Sequence, residues 1–374
     1  MARTSFFGRT PVAASVLTLA AAVTALTGCG SSGSSSAGGS GKPLSQASIT
    51  FGAGYNQADS SLIYIAQQNG YFKKQGLTVK IVNTAPLSTS DTVAAFFGGT
   101  YEFLNNAAAT DILADVSSGG NEMTAIWQST VGSHEQIAVN NNFAKQIGLT
   151  AGSGTAASAL AEFKKLKNSH ITIGVSSLTS LAYIDLVSAC KTNGLTCVAD
   201  SKTADVDIVT AGTPASQVAG IRAGKFDGVV AGPPTTSQPD TTVIQLGLIN
   251  PVDESVNDYV TVKPSFAKAH PDTVQAVVNA LMESLQYAEK SPSAAEHIMA
   301  GMFNTEGVTS ASLQQSQFTN AAERWIHPAP ASSAYNTTLK SLNLAQAKTV
   351  SLPFSQFINA SYAQQAAKTV GVSI

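Results

Sequence analysis

The chain has 374 residues, of which 44% are hydrophobic and only 12% charged, with a formal net charge of −2. That length supports two ordinary domains with sizeable cores, and the composition excludes intrinsic disorder, which needs low hydrophobicity and strong self-repulsion. The near-neutral balance, with arginine confined to Arg3, Arg9, Arg222 and Arg324, also excludes a nucleic-acid protein, which needs a concentrated basic footprint.

Residues 1–28 carry Arg3 and Arg9, then an apolar stretch from Pro11 to Leu26, then small residues, which is the layout of a secretory signal. The stretch is short and contains Ser15, Thr18 and Thr24, so it is weak for a permanent transmembrane helix. Its end, Leu26-Thr27-Gly28-Cys29, resembles the bacterial lipobox, in which the cysteine is acylated and becomes the mature N-terminus. Removal of the signal leaves 19 basic against 23 acidic residues. Residues 29–46 then read as a lipidated cysteine and a Ser/Gly-rich tether. The segment Gly30–Pro43 reaches roughly 20 Å root-mean-square. The expectation is an exported body anchored by lipid at Cys29 to the outer face of the cell membrane. With Cys29 acylated, Cys190 and Cys197 remain, and an oxidising compartment favours their pairing. A disulfide closing that loop is worth about 2.5 kcal/mol in the chain-entropy treatment.

The body carries an internal duplication. Ile49-Thr-Phe-Gly52 matches Ile171-Thr-Ile-Gly174, and Ala94–Glu102 matches Ala219–Asp227. Each copy opens on a β-rich run and continues into a helix. Leu62, Ile65, Ala66 and Phe72 make the buried face in the first copy, and Tyr183, Ile184, Val187 and Cys190 in the second. A glycine ends each helix, and a second strand follows at Thr78–Val82 or Thr196–Val198. A further helix leads to Phe103-Leu104 or Val229-Val230. Two βαβαβ units predict an α/β protein with two mainly parallel sheets flanked by helices. Downstream, Pro271 starts a helix with Val274, Val277, Val278, Leu281, Leu285 and Ala288 at helical spacing. Ser291-Pro292 starts another, and Leu313, Ala321 and Trp325 suggest one more. The C-terminal extension is therefore helical.

Four segments carry a family resemblance: Tyr64–Val79, with its Gly-Tyr-Phe and Gly-Leu; Gly98–Phe103; Ile173–Val175; and Ala223–Asp227. Over roughly residues 47–290 the chain resembles the nitrate/sulfonate/taurine and thiamine-pyrimidine-precursor binding proteins of ABC importers. The resemblance implies a two-lobed type II periplasmic-binding fold, with lobe one formed by residues 47–135 plus 256–374 and lobe two by 136–255. A hinge between two such lobes lets them close on a ligand. It further implies a monomer that binds a small-molecule solute and hands it to the importer's permease, without a cofactor, a metal or a nucleic-acid partner.

Ligands of open parallel sheets bind beyond the strand C-termini. In lobe one this selects Tyr55, Asn56 and Gln57 after the first strand, and Asn105 and Asn106 after the third. Trp127 and Gln128, ending a Met123–Trp127 strand, face the same edge. In lobe two it selects Ser176, Ser177, Thr179 and Ser180 at a helix start, with Gly232 and Pro233 opposite. Several hydroxyls at a helix N-terminus suit an anion without a cation, whereas plain helix capping accounts for only one of them. Tyr55 and Trp127 are candidates to stack on an aromatic portion. Asp227 and Glu102 are expected to tie turns. None of these loops holds Arg or Lys, so a sulfonate-like monoanion ranks ahead of sulfate or phosphate, and a neutral pyrimidine-type ligand is the alternative. Ser188-Ala-Cys-Lys191 and Ser265-Phe-Ala-Lys268 match the acyl-serine pattern, but no Ser-Asp-Asn or Lys-Thr-Gly accompanies them, so a lipid-anchored hydrolase is the disfavoured reading.

Overall fold

The computed structural model describes residues 43–54, 58–132, 135–146, 148, 171–232, 241–245, 255–305, 325, 328–346 and 348–373. The signal, Cys29 and the tether as far as residue 42 lie outside these residues, as do Leu313 and Ala321, whereas the last tether residues are described and Ser45 and Gln46 are bonded to Asp272 and Thr273. Two sheets organise the described chain. The first has the order β2-β1-β3-β11-β4, from β1 (Ser48–Ala53), β2 (Thr78–Asn83), β3 (Phe103–Ala107), β4 (Thr124–Val131) and β11 (Val256–Val262). The second has the order β10-β5-β9-β6-β8-β7, from β5 (Gln136–Asn140), β6 (Ile171–Val175), β7 (Cys197–Ala199), β8 (Val206–Thr210), β9 (Gly228–Ala231) and β10 (Thr241–Gln245). β1 runs parallel to β2 and β3, and β6 runs parallel to β8 and β9. β11 is antiparallel to both β3 and β4, and β5 to both β9 and β10. The chain passes between sheets after β4 and again before β11. The two passages touch where Gly132 N–H donates to the Ser255 carbonyl at 2.7 Å.

Helices α1 (Ser61–Gln68), α2 (Tyr71–Lys74), α3 (Thr89–Phe97) and α4 (Ala108–Ser118) follow strands of the first sheet. Helices α5 (Asn141–Gln146), α6 (Leu181–Thr192) and α7 (Pro214–Arg222) follow strands of the second. The C-terminal part supplies α8 (Pro264–Ala269), α9 (Pro271–Lys290), α10 (Pro292–Thr305), α11 (Ser332–Ala345), α12 (Phe354–Phe357) and α13 (Ser361–Val370). The apolar stripe read for α9 is buried throughout, packed in one core with β1, α1 and α13. Leu186, Val187, Cys190 and the β6 residues Ile171 and Ile173 form the core of the second sheet.

The duplication is visible in hydrogen bonds. Glu102 N–H donates to the Thr50 carbonyl at 3.0 Å, while Thr50 N–H donates to Glu102 Oε2 at 2.7 Å. In the second sheet Asp227 N–H donates to the Thr172 carbonyl at 2.9 Å, and Thr172 N–H to Asp227 Oδ2 at 2.8 Å. Each carboxylate thus closes a ring around the start of the first strand, and charge-assisted bonds of this kind contribute about 1.5–3 kcal/mol. Beside each ring a glycine lets an aromatic ring approach. A Cβ on Gly52 would stand 3.0 Å from the Tyr101 ring, and one on Gly174 would stand 3.4 Å from Phe226 and 2.7 Å from Ala211 Cβ.

One strand differs from the expectation. The repeat equates Thr196–Val198 with β2, yet the strand beside β6 in that place is β8, with Ile171 opposite Val206. β7 is an added edge strand beside β8. The return from β7 to β8 turns at Asp200, whose φ is +52°. β7 has only three residues, too few for periodicity to separate a neighbour of β6 from an edge. A Cys190–Cys197 disulfide, with Cα atoms 6.0 Å apart, ties the α6 C-terminus to this edge strand.

Gly220 in α7 tests the packing directly, because its Cβ would lie 2.1 Å from Phe226 Cε2. Alanine in a helix interior normally gains up to about 1 kcal/mol over glycine. Here Gly220→Ala is expected to lose about 1–3 kcal/mol, the usual cost of overpacking, measured by urea unfolding.

Candidate functional site

β1, β3 and β4 end on one edge of the first sheet, and antiparallel β11 begins there, with Asp258 opposite both Ala107 and Thr130. Thr130 Oγ1 donates to Asp59 Oδ1 at 2.6 Å. Asn257 Nδ2 donates to Asp59 Oδ2 at 3.0 Å and to Asp258 Oδ2 at 2.8 Å. Ser129 Oγ donates to Asn105 Oδ1 at 2.5 Å, and Asn105 Nδ2 to Ser60 Oγ at 3.3 Å. All seven side chains are buried. Burying this many polar groups is costly unless they are bonded to one another, so the network holds the strand edge in one arrangement.

Asn105 and Asn106 lie within β3, not after it, because α4 begins directly at Ala108. As strand neighbours they point to opposite faces. Asn105 joins the edge network, while Asn106 Nδ2 donates to Asp111 Oδ1 at 2.7 Å in the first turn of α4. Asp111 is fully buried, and this burial pushes its carboxyl up from 3.8 to about 8, against the lowering effect of its bonds to Asn106 and Thr261. Burial also raises Asp115 one turn later, whose Oδ1 accepts from the Glu122 and Met123 amides.

Trp127 corrects the expectation. β4 runs on to Val131, so Trp127 is a mid-strand residue, 1% exposed and packed with Ile126 and Val260 in the apolar core. It has no face open to a solute. Gln128 is buried too, and its N–H donates to the Pro328 carbonyl. The residues at that edge are Ser129 and Thr130.

In the second sheet, β6 ends at Val175 and Ser180 caps α6, accepting from Tyr183 N–H at 3.3 Å. Ser180 Oγ also donates to the Ser177 carbonyl at 2.7 Å, so this serine has the capping role. Ser177 Oγ lies 3.1 Å from Thr179 Oγ1. Thr179 reaches the first sheet's helices: its carbonyl accepts from Thr110 Oγ1 at 2.9 Å, and its Oγ1 lies 3.4 Å from Ser90 Oγ. Ser90 stands in the first turn of α3, which Ser88 caps, and Thr110 in the first turn of α4. Three helix N-termini therefore meet at one hydroxyl seam, each bringing partial positive charge. Ser176 and Gly232 are partly exposed, while Tyr55, Asn56, Gln57 and Pro233 lie outside the described residues. The described residues of both edges include neither Lys nor Arg.

Sequence reasoning missed Asp59, Asn257, Asp258, Ser90, Thr110 and Asp111. A signal existed for two of them, since Asn257-Asp258 interrupts an otherwise apolar strand. Lys191 Nζ donates to the Leu344 carbonyl, and Ser265 and Lys268 are both exposed on the short helix α8. Among the described residues no group of His, Cys, Asp and Glu could hold a metal ion, and no helix is long and apolar enough to cross a membrane.

Asp111 keeps its proton in the fold up to about pH 8 but ionises near 3.8 when unfolded. The folded chain therefore binds more protons across that window, and this contribution to stability falls as pH rises. Asp111→Asn removes the fall. Its melting temperature is expected to exceed wild type at pH 8 and to converge with it at pH 4; an equal shift at both pH values would contradict the assignment.

By sequence, the NMT1-like family model matches residues 42–303, and no curated protein matches the chain. By structure, the chain is similar to the ligand-binding component of an ABC-type import system from Staphylococcus aureus, at 14% identity and TM-score 0.66, covering 86% of this chain and 99% of that one. It is similar to the periplasmic aliphatic sulphonate binding protein SsuA from Escherichia coli, at 16% identity and TM-score 0.58, covering 82% and 90%. The desulfurization enzyme DSZB is also similar, at 13% identity and TM-score 0.57, covering 87% and 100%. The two sheets have the periplasmic-binding-protein fold, and the chain belongs to the NMT1-like family.

Proposed function

We propose that this protein captures a small organic solute outside the cytoplasm and delivers it to an ABC importer, without catalysis. The observation that carries the reading is the seam at Thr179, where the edges of two sheets and the N-termini of α3, α4 and α6 meet. The S. aureus and E. coli relatives support it, since each is described as binding a ligand for import or in the periplasm. A solute with one diffuse negative charge, sulfonate-like, suits amides and hydroxyls without a cation. A second reading is a neutral heterocycle, which suits edges whose described residues include neither Lys nor Arg.

A thermal-shift panel separates the two. A ligand at a hundredfold excess over its dissociation constant adds about 2.7 kcal/mol of stability. Alkyl sulfonates or taurine are expected to stabilise the protein; stabilisation by pyrimidines alone would replace the anion with the heterocycle and keep the import role.

The lipobox-like sequence and the tether support anchoring through Cys29, followed by a polar leash that enters the fold at Ser45. Ser45 is fixed there by Asp272 at the start of α9, its N–H donating to Oδ2 at 2.7 Å. Cys29→Ala is expected to move the protein from the membrane to the soluble fraction, and retention on membranes after a salt wash would reject the anchor.

A further inference from the structure

Helix α6 belongs by connectivity to the second sheet: it follows β6 and is disulfide-linked to β7. Its side chains divide between two cores. Leu186, Val187 and Cys190 pack with the second sheet, whereas Ile184, fully buried, packs with Phe96, Tyr101, Tyr259 and Tyr335 on the first. Tyr183 touches both cores. Helix α11 covers this junction. Ala334, Tyr335 and Leu342 lie in the first-sheet core, and Ala345 packs against both cores. Lys191 at the end of α6 donates to the α11 carbonyl of Leu344. Thr338 in the middle of α11 accepts from Val256 N–H at 2.7 Å, just after the chain returns from the second sheet. Both ends of α11 are fixed in turn, because Tyr335 O–H in its first turn donates to the Leu352 carbonyl at 2.7 Å and Asn343 in its last turn bonds Val350 through both amide atoms.

From this arrangement we infer that α11 is a strap that holds the two sheets in their closed orientation before any solute arrives. Hinge opening rotates one sheet away from the other, so α6 must leave one of the two cores that it fills. The second sheet keeps it, through the disulfide and its larger apolar face. The contact that breaks on opening is therefore Ile184 and Lys191 against the first-sheet core and α11. A buried isoleucine leaving its core opposes that motion strongly, and the hydroxyl seam around Thr179 adds polar contacts at the other end of the same helix. The strap sets how rarely the solute-free protein opens, whatever the solute is.

The test is single-molecule energy transfer in the solute-free, full-length protein. Fluorophores are placed at the exposed positions 80 and 202, one on each sheet's outer side, through a non-natural amino acid whose chemistry ignores cysteine. Wild type is expected to show one short-distance population. Ile184→Ala is expected to raise the long-distance population at least tenfold, and Lys191→Met, a surface change that spares the cores, to raise it severalfold. Should Ile184→Ala fail to fold, Lys191→Met decides alone, with hydrogen exchange of the α11 amides faster than in wild type as its second readout. A wild type already spread over both distances, or a folded Lys191→Met variant with unchanged distances and unchanged α11 exchange, would overturn the strap.

Discussion

A carboxylate that reaches back to a strand start sets the geometry of both sheets. Glu102 and Asp227 each stand one residue before or at the turn into the third strand of their repeat, and each captures the backbone of the first strand from both sides. That ring fixes the register of β1 against β3 and of β6 against β9, seen in Phe51 opposite Phe103 and Ile173 opposite Gly228. Once these pairs are aligned, the ends of the parallel strands fall at one edge of each sheet. The polar residues that follow them are then brought together rather than scattered along the surface.

The two edges carry different chemistry. The first-sheet edge is a closed network in which Asp59, Asn257, Thr130 and Asp258 satisfy one another. The second-sheet edge presents a capped helix whose preceding hydroxyls touch the helices of the first sheet. Among the described residues the chain leaves the first sheet after β4 and returns before β11, and the two passages are bonded at Gly132 and Ser255, so the proposed hinge lies at that point. The same motion that parts the edges also strains α6 against α11, so access to the site and the packing of the C-terminal helices are coupled.

Much of this architecture is written in local pattern. The repeat, the α9 stripe and the turn-tying roles of Glu102 and Asp227 follow from spacing, the two carboxylates standing at matched positions of the repeat just before its third strand. What escapes is whatever depends on where a strand stops. Trp127 read as an edge residue because polar Gln128 and Ser129 follow it, yet tertiary pairing with β11 carries β4 on to Val131 and takes the indole into the core. β7, which bears Cys197, has only three residues, too few for periodicity to show that β8 takes the place beside β6. Asp59 and Asp258, about 200 positions apart in sequence, carry no local mark of their shared partner Asn257. Nor does the sequence mark Thr110 as the partner of Thr179, since the two meet only because the two sheets close on each other.

In the proposed import role, the seam between Ser90 and Thr179 is the mouth of a solute cleft between the two sheets. A Ser90→Cys/Thr179→Cys double variant tests it most directly, because the two hydroxyls lie 3.4 Å apart, near enough for their replacements to form a crosslink. Calorimetric titration would use whichever solute stabilises wild type. The oxidised double variant is expected to lose binding at least tenfold and to recover it on reduction, with each single variant unaffected by the same treatment. Unchanged affinity and uptake rate in the crosslinked protein would place the solute elsewhere and contradict the account.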